Sequence, residues 1–400
     1  MNLNEALQAT SQPEPVERTK PAVPKMGEPG TWEWDGNVGV INTQPTLERV
    51  TNWDAYIIYA GLDPEAVEVI EPVNIRGWDS NAGKTVGADG VETTNIIKMH
   101  YYSLRVRTRR PGPVIDDLLA IARKIKAPKK SVPTGDSTYV VALGDLQYGK
   151  MDGDGVEGTQ KRVIDGLERA AERLSGIRKY DAAIERVAIL WLGDCIEGFV
   201  SQGGASAWRT TLTLTEQIRL LRETMLASVD LFAPLTQDLV EAAVGGNHDE
   251  AVRFNGKGIT RYDDSFDIDS LSAVEMAVKR GPNSDHIKFY TPAADELTLT
   301  FETSGTILGM SHGHKARMGK HFDWWQRQSF GDQPIGQADI LLSGHYHTYF
   351  TQEEGKRMFI QVPALESEST WVRHSKGVTG NPGVLTFVTK DKRVSNLTVL

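Results

Sequence analysis

Five short segments of this 400-residue chain set a glycine beside side chains able to hold a divalent cation. They are Gly144-Asp145-Leu146-Gln147, Gly193-Asp194, Gly246-Asn247-His248-Asp249, His312-Gly313-His314 and Gly344-His345-Tyr346-His347. Five of the nine histidines fall in three of these segments. A lone Gly-Asp or Gly-Asn-His is ordinary turn chemistry; the ordered set is not. Carboxylate, amide and imidazole donors together suit Mn²⁺, Fe or Zn²⁺ better than Ca²⁺ or Cu(I). Cys195 is the single cysteine, so this chain can build neither an internal disulfide nor a thiolate cluster.

Residues this far apart meet only if regular elements deliver them. Each segment follows a short apolar run, at 139–143, 187–192, 239–244, 306–310 and 339–342, with the length and composition of a buried strand. Strands of one sheet bring their C-terminal ends to one edge, so the five segments are expected to converge there. Glycine beside each polar ligand permits a sharp turn and a close backbone approach. Between the first two runs, Val163, Leu167, Ala170, Leu174 and Ile177 recur at steps of three and four, the stripe of a helix long enough to cross a sheet. A second helix is expected over 215–232, with further strands at 358–362, 384–388 and 397–400. Short apolar runs alternating with helical stretches predict an α/β domain over 136–400.

Ahead of it, residues 1–30 are rich in Pro, Glu, Gln and Thr and read as a disordered tail. Residues 31–135 read as a small α+β accessory module whose last strand, 96–107, puts Leu104 and Val106 on one face and Arg105 and Arg107 on the other. A helix-like run at 113–126 and a Pro- and Lys-containing segment at 127–136 then form the expected boundary. The net charge of −9 hides an asymmetry: residues 98–130 carry ten Lys and Arg against two Asp, a local +8 that leaves −17 on the remainder. A protein that coats nucleic acid uniformly is excluded; a local contact with a polyanion is not.

The five segments, in order over about residues 139–388, resemble the calcineurin-like metallophosphoesterase superfamily, whose pattern runs D-x-H, G-D, G-N-H-[DE], H and G-H-x-H. The resemblance implies a metallophosphoesterase-like β-sandwich core flanked by helices and two divalent ions, with Mn²⁺ preferred and Mg²⁺, Fe or Zn²⁺ accommodated. It implies that Asp194 bridges both ions, that Asp145, Gln147 and His347 complete one site, and that Asn247, His312 and His345 hold the other. His312 is preferred to His314 because it comes first after the strand. His248, with Asp249 beside it, would be catalytic, close to the substrate phosphate. Two ions about 3.5–4 Å apart can share a water, lower its pKa and clamp an in-line displacement, so hydrolysis without a covalent enzyme intermediate is implied. Gln147 departs from the pattern, an amide standing where the family has an imidazole. Its oxygen favours Mn²⁺ or Mg²⁺ over Zn²⁺, and superfamily members similar to manganese-dependent nucleoside-diphosphate hydrolases carry the same D-x-Q. Gly-Asn-His-Asp-Glu at 246–250, Gly256-Lys257 and the late Gly-His-Tyr-His are similar to the branch of SbcD-type DNA repair nucleases, particularly phage-encoded ones.

Other residues carry two readings each. Arg253, Lys257 and Arg261 follow the Gly-Asn-His-Asp segment and would contact substrate phosphate or form a solvated face. Asp249 would orient a histidine or cap the following segment. Trp324 and Trp325 could stack bases, but packing is favoured, and Cys195 is expected to be a small buried apolar residue. The basic stretch is read as a DNA contact ahead of a solvated edge strand. The function expected is a DNA nuclease or phosphodiesterase; the alternatives are a nucleotide-sized phosphodiesterase or pyrophosphatase, and a metal-poor scaffold that binds a partner. No run of eighteen apolar residues and no secretory signal pattern is present, so a cytoplasmic protein without membrane contact is expected. A homo-oligomer is compatible with the sequence.

Overall fold

The computed structural model describes residues 29–34, 38–47, 49–50, 52–64, 66–86, 91–108, 115–129, 135–181, 183–199, 210–254, 257–258, 260–368, 373–374, 377 and 380–400. The chain divides into two compact units, Met1–Pro111 and Gly112–Leu400. Of the expected tail, residues 1–28 lie outside the described residues, while Pro29 and Gly30 open the first strand.

In the first unit β1 (Pro29–Trp34), β2 (Val38–Thr43), β3 (Val67–Val86) and β4 (Glu92–Thr108) form an antiparallel sheet in the order β1-β2-β4-β3. Tyr102, Leu104 and Val106 of β4 point inward and join Ile41, Val67, and Tyr56 and Ile57 of the helix Asp54–Tyr59 in a small core. The intervening Arg105 is exposed, as the alternation predicts. β4 is not an edge strand, however: β2 and β3 flank it on both sides. Its arginines therefore guard no open edge.

The second unit is built from β5 (Ser137–Leu143), β6 (Ile184–Trp191), β7 (Asp238–Ala243), the short pair β8 (Arg253–Phe254) and β9 (Lys257–Gly258), β10 (Ile287–Tyr290), β11 (Leu299–Thr303), β12 (Thr306–Met310), β13 (Ile340–Ser343), β14 (Phe350–Glu354), β15 (Arg357–Gln361), β16 (Leu385–Lys390) and β17 (Arg393–Val399). Two sheets result, one ordered β10-β7-β6-β5-β16-β17 and one ordered β11-β12-β13-β15-β14. Period-2 geometry divides each strand between two cores. Val140, Ala142, Ala188, Leu190, Val240 and Ala242 of the first sheet meet Leu308, Met310, Ile340, Leu342 and Ile360 of the second. The alternate residues Tyr139, Val141, Val187, Ile189, Trp191 and Leu239 pack under the helices Gly155–Ile177, Leu214–Phe232 and Phe266–Val278. Burial on both faces explains why these strands read as continuous apolar runs. The helix Gly155–Ile177 buries the expected stripe from Val163 to Ile177, and Leu214–Phe232 starts with a capping box between Thr213 and Glu216. The helix His321–Phe330 covers the outer face of the second sheet through Trp325 and Phe359.

The unit boundary, at 111/112 rather than the expected 135/136, follows from burial. Leu118 and Ala122 of the helix Ile115–Ala122, together with Ile125, are buried in the core beneath the helices of the second unit. Their apolar area is worth more inside that core than in a solvated linker.

One buried acid in this layer sets a pH dependence. Glu241 of β7 is fully buried, accepting from Trp191 Nε1 at 2.8 Å and from Ser228 Oγ at 2.9 Å. Burial pushes its carboxyl up to about 8 against the opposing pull of those two donors. An unfolded glutamate titrates near 4.3, so between these values the folded state binds the extra proton and stability falls as pH rises. Glu241→Gln should therefore stabilise the protein by at least about 2 kcal/mol more at pH 8 than at pH 5. Urea unfolding at both pH values checks this; an equal offset at the two would refute it.

Candidate metal centre

The loops after β5, β6 and β7 in one sheet and after β12 and β13 in the other meet at one edge of the sandwich. The convergence expected of a single sheet is thus achieved by two facing sheets, with their parallel strands running toward that edge. Asp194, after β6, is buried, and its Oδ1 accepts from the backbone N–H groups of Asn247 at 2.6 Å and His248 at 2.8 Å. A Cβ on Gly246 would overlap that same oxygen, which is why glycine stands there. Asp194 Oδ2 faces His312 Nε2 at 2.9 Å, and the other ring nitrogen of His312 lies 2.8 Å from the Leu192 carbonyl. That bond takes the Nδ1 proton and leaves Nε2 to the site.

Asp145, after β5, repeats the arrangement. Its Oδ2 accepts from the His345 backbone N–H at 2.8 Å, and a Cβ on Gly344 would lie 2.5 Å from it. Its Oδ1 lies 3.3 Å from His347 Nε2, and His347 Nδ1 lies 2.7 Å from Glu366 Oε1. Lys150 Nζ donates to Gln147 Oε1 at 2.6 Å and pairs with Glu366 Oε2 at 2.5 Å. Eleven described non-glycine residues have positive φ, and five of them are Asp145, Gln147, Asp194, His345 and His347. Backbone strain is concentrated where the candidate ligands are.

Among the described residues, Asp194, His312 and His345 form one group whose donor atoms all lie within 4.8 Å of one another. Among the described residues, Asn247 Oδ1 is buried without a hydrogen-bond partner, and His312 Nε2 faces only the Asp194 carboxylate. Such orphaned atoms are costly unless something satisfies them, and a divalent cation would. Asp194, His312 and His345 fit an ion in donor type and placement, and Asn247 adds an unpartnered amide oxygen of suitable type. Around Asp145 the fit is poorer: Asp145 Oδ1 is also without a hydrogen-bond partner, but the Gln147 oxygen is already taken by Lys150.

Electrostatics concentrate negative charge on Asp194. Burial alone would raise its carboxyl, but the imidazoles of His312 and His248 hold it well below the usual carboxylate range. Burial and the Asp194 charge raise Asp249, and burial with Asp249 pushes Asp267 well above its ordinary value. Burial lowers His345 to about 4 and His314 to about 2, so both are neutral donors near pH 7. For His248, burial is outweighed by Asp194 and Glu197, which push it up to about 9.

His248 is buried beside the group, with Nε2 4.0 Å from Asp194 Oδ2 and Nδ1 held near the Glu197 carbonyl at 3.2 Å and Oε2 at 3.4 Å. Asp249, expected among the catalytic residues, is wholly buried. Its Oδ1 accepts from Gly246 N–H at 2.6 Å and its Oδ2 from the hydroxyl of Ser265, the cap of the helix Phe266–Val278. That geometry holds the Gly246 turn in place and keeps both carboxylate oxygens engaged inside the protein. His314 lies beside the group, its ring 5.6 Å from His312. Arg261 is exposed and paired with Asp263 at 2.8 Å. The side chains of Arg253 and Lys257 lie outside the described residues, although their backbones form the β8–β9 pair. Trp325 is buried, with Nε1 donating to the Ile335 carbonyl, which is the packing role expected, and Cys195 is buried as expected.

Four residues that take part were not singled out from sequence: Lys150, Glu197, Asp267 and Glu366. Asp267 accepts from the Cys195 backbone N–H at 2.8 Å, under the Asp194 turn. Only Lys150 left a trace, as a lone cation three residues after Gln147. Glu366 is 19 positions from the histidine it orients, with no periodic signal between them.

No family model matches the chain, and no curated protein sequence does. Solved structures do. A conserved uncharacterised protein of Streptococcus pneumoniae, described as a predicted phosphoesterase, aligns at 13% identity over 64% of this chain and 84% of its own, with a TM-score of 0.28. A novel archaeal phosphodiesterase aligns at 13% over 66% and 99%, with a TM-score of 0.30. Vps29 of Entamoeba histolytica, in complex with zinc, aligns at 14% over 64% and 88%, with a TM-score of 0.29. At such values the functional reading rests on the site itself.

Binding that favours the folded state raises apparent stability by about 2.7 kcal/mol at a hundredfold excess over Kd. Mn²⁺ should therefore raise the melting temperature of the wild type, His312→Ala should abolish the rise and His314→Ala should keep it. Thermal melts with and without Mn²⁺ decide; a rise retained in His312→Ala would remove that residue from the ligand set.

Proposed function

We propose that the unit Gly112–Leu400 is a divalent-metal-dependent phosphoesterase acting on phosphodiester bonds, with DNA as its substrate. The convergence of Asp194, His312 and His345, beside the orphaned Asn247 oxygen, carries the reading. A divalent ion held by these four would supply Lewis acidity at the phosphorus centre and a water acidic enough to attack at neutral pH. The chain's own residues supply position. Asp194 and Asn247 are locked by the Gly246 turn, which Asp249 and Ser265 hold from below. His248, with Nδ1 anchored at Glu197, turns Nε2 toward the site, where its proton can reach the leaving oxygen.

The choice of DNA draws on charge. Lys98 and Arg105 in the first unit, and Arg123, Lys124, Lys126 and Lys129 in the second, are exposed on a chain of net charge −9. Arg109, Arg110 and Lys130 of the same basic stretch have side chains outside the described residues. Cations concentrated over so short a stretch suit a polyanion better than a single nucleotide.

Purified protein with Mn²⁺ should degrade DNA and cleave bis-p-nitrophenyl phosphate, and Asp194→Asn should lower both rates by about a hundredfold or more. Turnover of ADP-ribose but not DNA would replace the substrate class, and no turnover with any divalent metal would overturn the enzyme reading. If four of these cations meet phosphates, the logarithm of DNA affinity should fall with the logarithm of salt at a slope of about −3 to −4. A flat salt response in a filter-binding or anisotropy titration would remove them from the contact.

A further inference from the structure

Both side chains expected to complete the first metal position, other than Asp145 and the shared Asp194, are tied to one ammonium group. Gln147 offers a single ligating oxygen, and Lys150 Nζ donates to it at 2.6 Å. An ion bound to that oxygen at an ordinary bond length of about 2.1 Å would sit within about 5 Å of the ammonium. His347 depends on Glu366 at its Nδ1 to be a strong donor through Nε2, because a carboxylate partner raises imidazole basicity. Glu366 gives its other oxygen to the same ammonium at 2.5 Å. Lys150 and Glu366 are largely buried, their side chains 12% and 5% exposed, so water screens this cation poorly. Around Asp194, Asn247, His312 and His345 no lysine or arginine donates to a ligating atom among the described residues: His312 Nδ1 is held by a backbone carbonyl, Asn247 Oδ1 is unpartnered, and His248 Nε2 stays 4.0 Å from Asp194 Oδ2.

We infer that Lys150 is a built-in cation of the site, which engages Gln147 and Glu366 and leaves the protein with one tightly held divalent ion, at Asp194, Asn247, His312 and His345. A second ion at Asp145 and His347 binds only weakly. Asp145 keeps a role without it: its carboxylate braces the Gly344-His345 turn and faces His347. Lys150 is thus a positioning residue whose charge replaces part of what a second ion would contribute. This rests on the metal-dependent reading above and departs from the two equal ions that the sequence pattern implies.

Metal content tests it without reference to activity. Full-length protein stripped with chelator and titrated with Mn²⁺, by calorimetry and by elemental analysis after dialysis, should hold one ion per chain, with a second at least about a hundredfold weaker. Electron paramagnetic resonance at one equivalent should show isolated Mn²⁺ without exchange coupling. Lys150→Gln, which can still hydrogen-bond both partners without the charge, should tighten the second ion by at least about tenfold and produce a coupled pair. Lys150→Arg, which keeps the charge, should stay at one. Two ions of comparable affinity in the wild type would overturn the inference and leave the metal-dependent reading standing, an arm that needs no variant to fold. No bound ion would overturn both. A folded Lys150→Gln that still holds one ion would also overturn it, since Gln147 alone would then explain the asymmetry.

Discussion

The site depends on one buried carboxylate and the two amides that hold it. Asp194 is removed from water, a position that costs several kcal/mol unless its oxygens are satisfied. The Asn247 and His248 N–H groups satisfy one oxygen, and the other is left facing imidazole. These bonds cross from the loop after β6 to the loop after β7, so they require the parallel register of those strands. They also require the absence of a side chain at 246. Asp145, the His345 N–H and Gly344 repeat the same unit between the two sheets. The sandwich is joined at its working edge by polar bonds and along its length by apolar packing.

Holding ligands this way has a conformational cost. Five candidate ligands sit in left-handed backbone, each at roughly 1–3 kcal/mol relative to an ordinary turn. The cost is offset by strands buried on both faces beneath them, whose Val, Ile, Leu and aromatic side chains are almost fully withdrawn from water. A rigid base and strained tips is the combination that keeps donor atoms preorganised.

Charge is managed by layers. Asp194 stays ionised beside its imidazoles, while burial and the neighbouring negative charge raise Asp249 and Asp267 behind it. Of these three carboxyls, Asp194 is therefore the one that keeps its charge at the face where a cation would enter. On the Asp145 side, the Lys150 ammonium, paired with Glu366, supplies a positive charge from within the protein. The basic stretch that stood out in the chain is shared between the two units, with Arg105 on an interior strand of one and Arg123 to Lys129 beyond a helix packed into the core of the other.

Much of this was legible in the residues. The strands that bear the candidate ligands, the helix stripe from Val163 to Ile177, the inward set of β4 and the packing of Trp325 all follow from local periodicity, which survives in sequence because burial selects side-chain type every two or every three to four positions. The ordered ligand types were legible for the same reason: each lies next to the strand that carries it. Tertiary structure alone decided what depends on two distant segments meeting. It split the candidate ligands between two sheets, set Asp249 to holding a turn, and placed the unit boundary at 111/112 through the burial of Leu118 and Ala122. It also showed that Gly246 and Gly344 serve the carboxylates facing them and not their own φ, which is not among the positive ones. The five glycine-flanked segments do converge, but Lys150 and Glu366, 216 positions apart, meet on one side of them, and no spacing in the chain could have announced that.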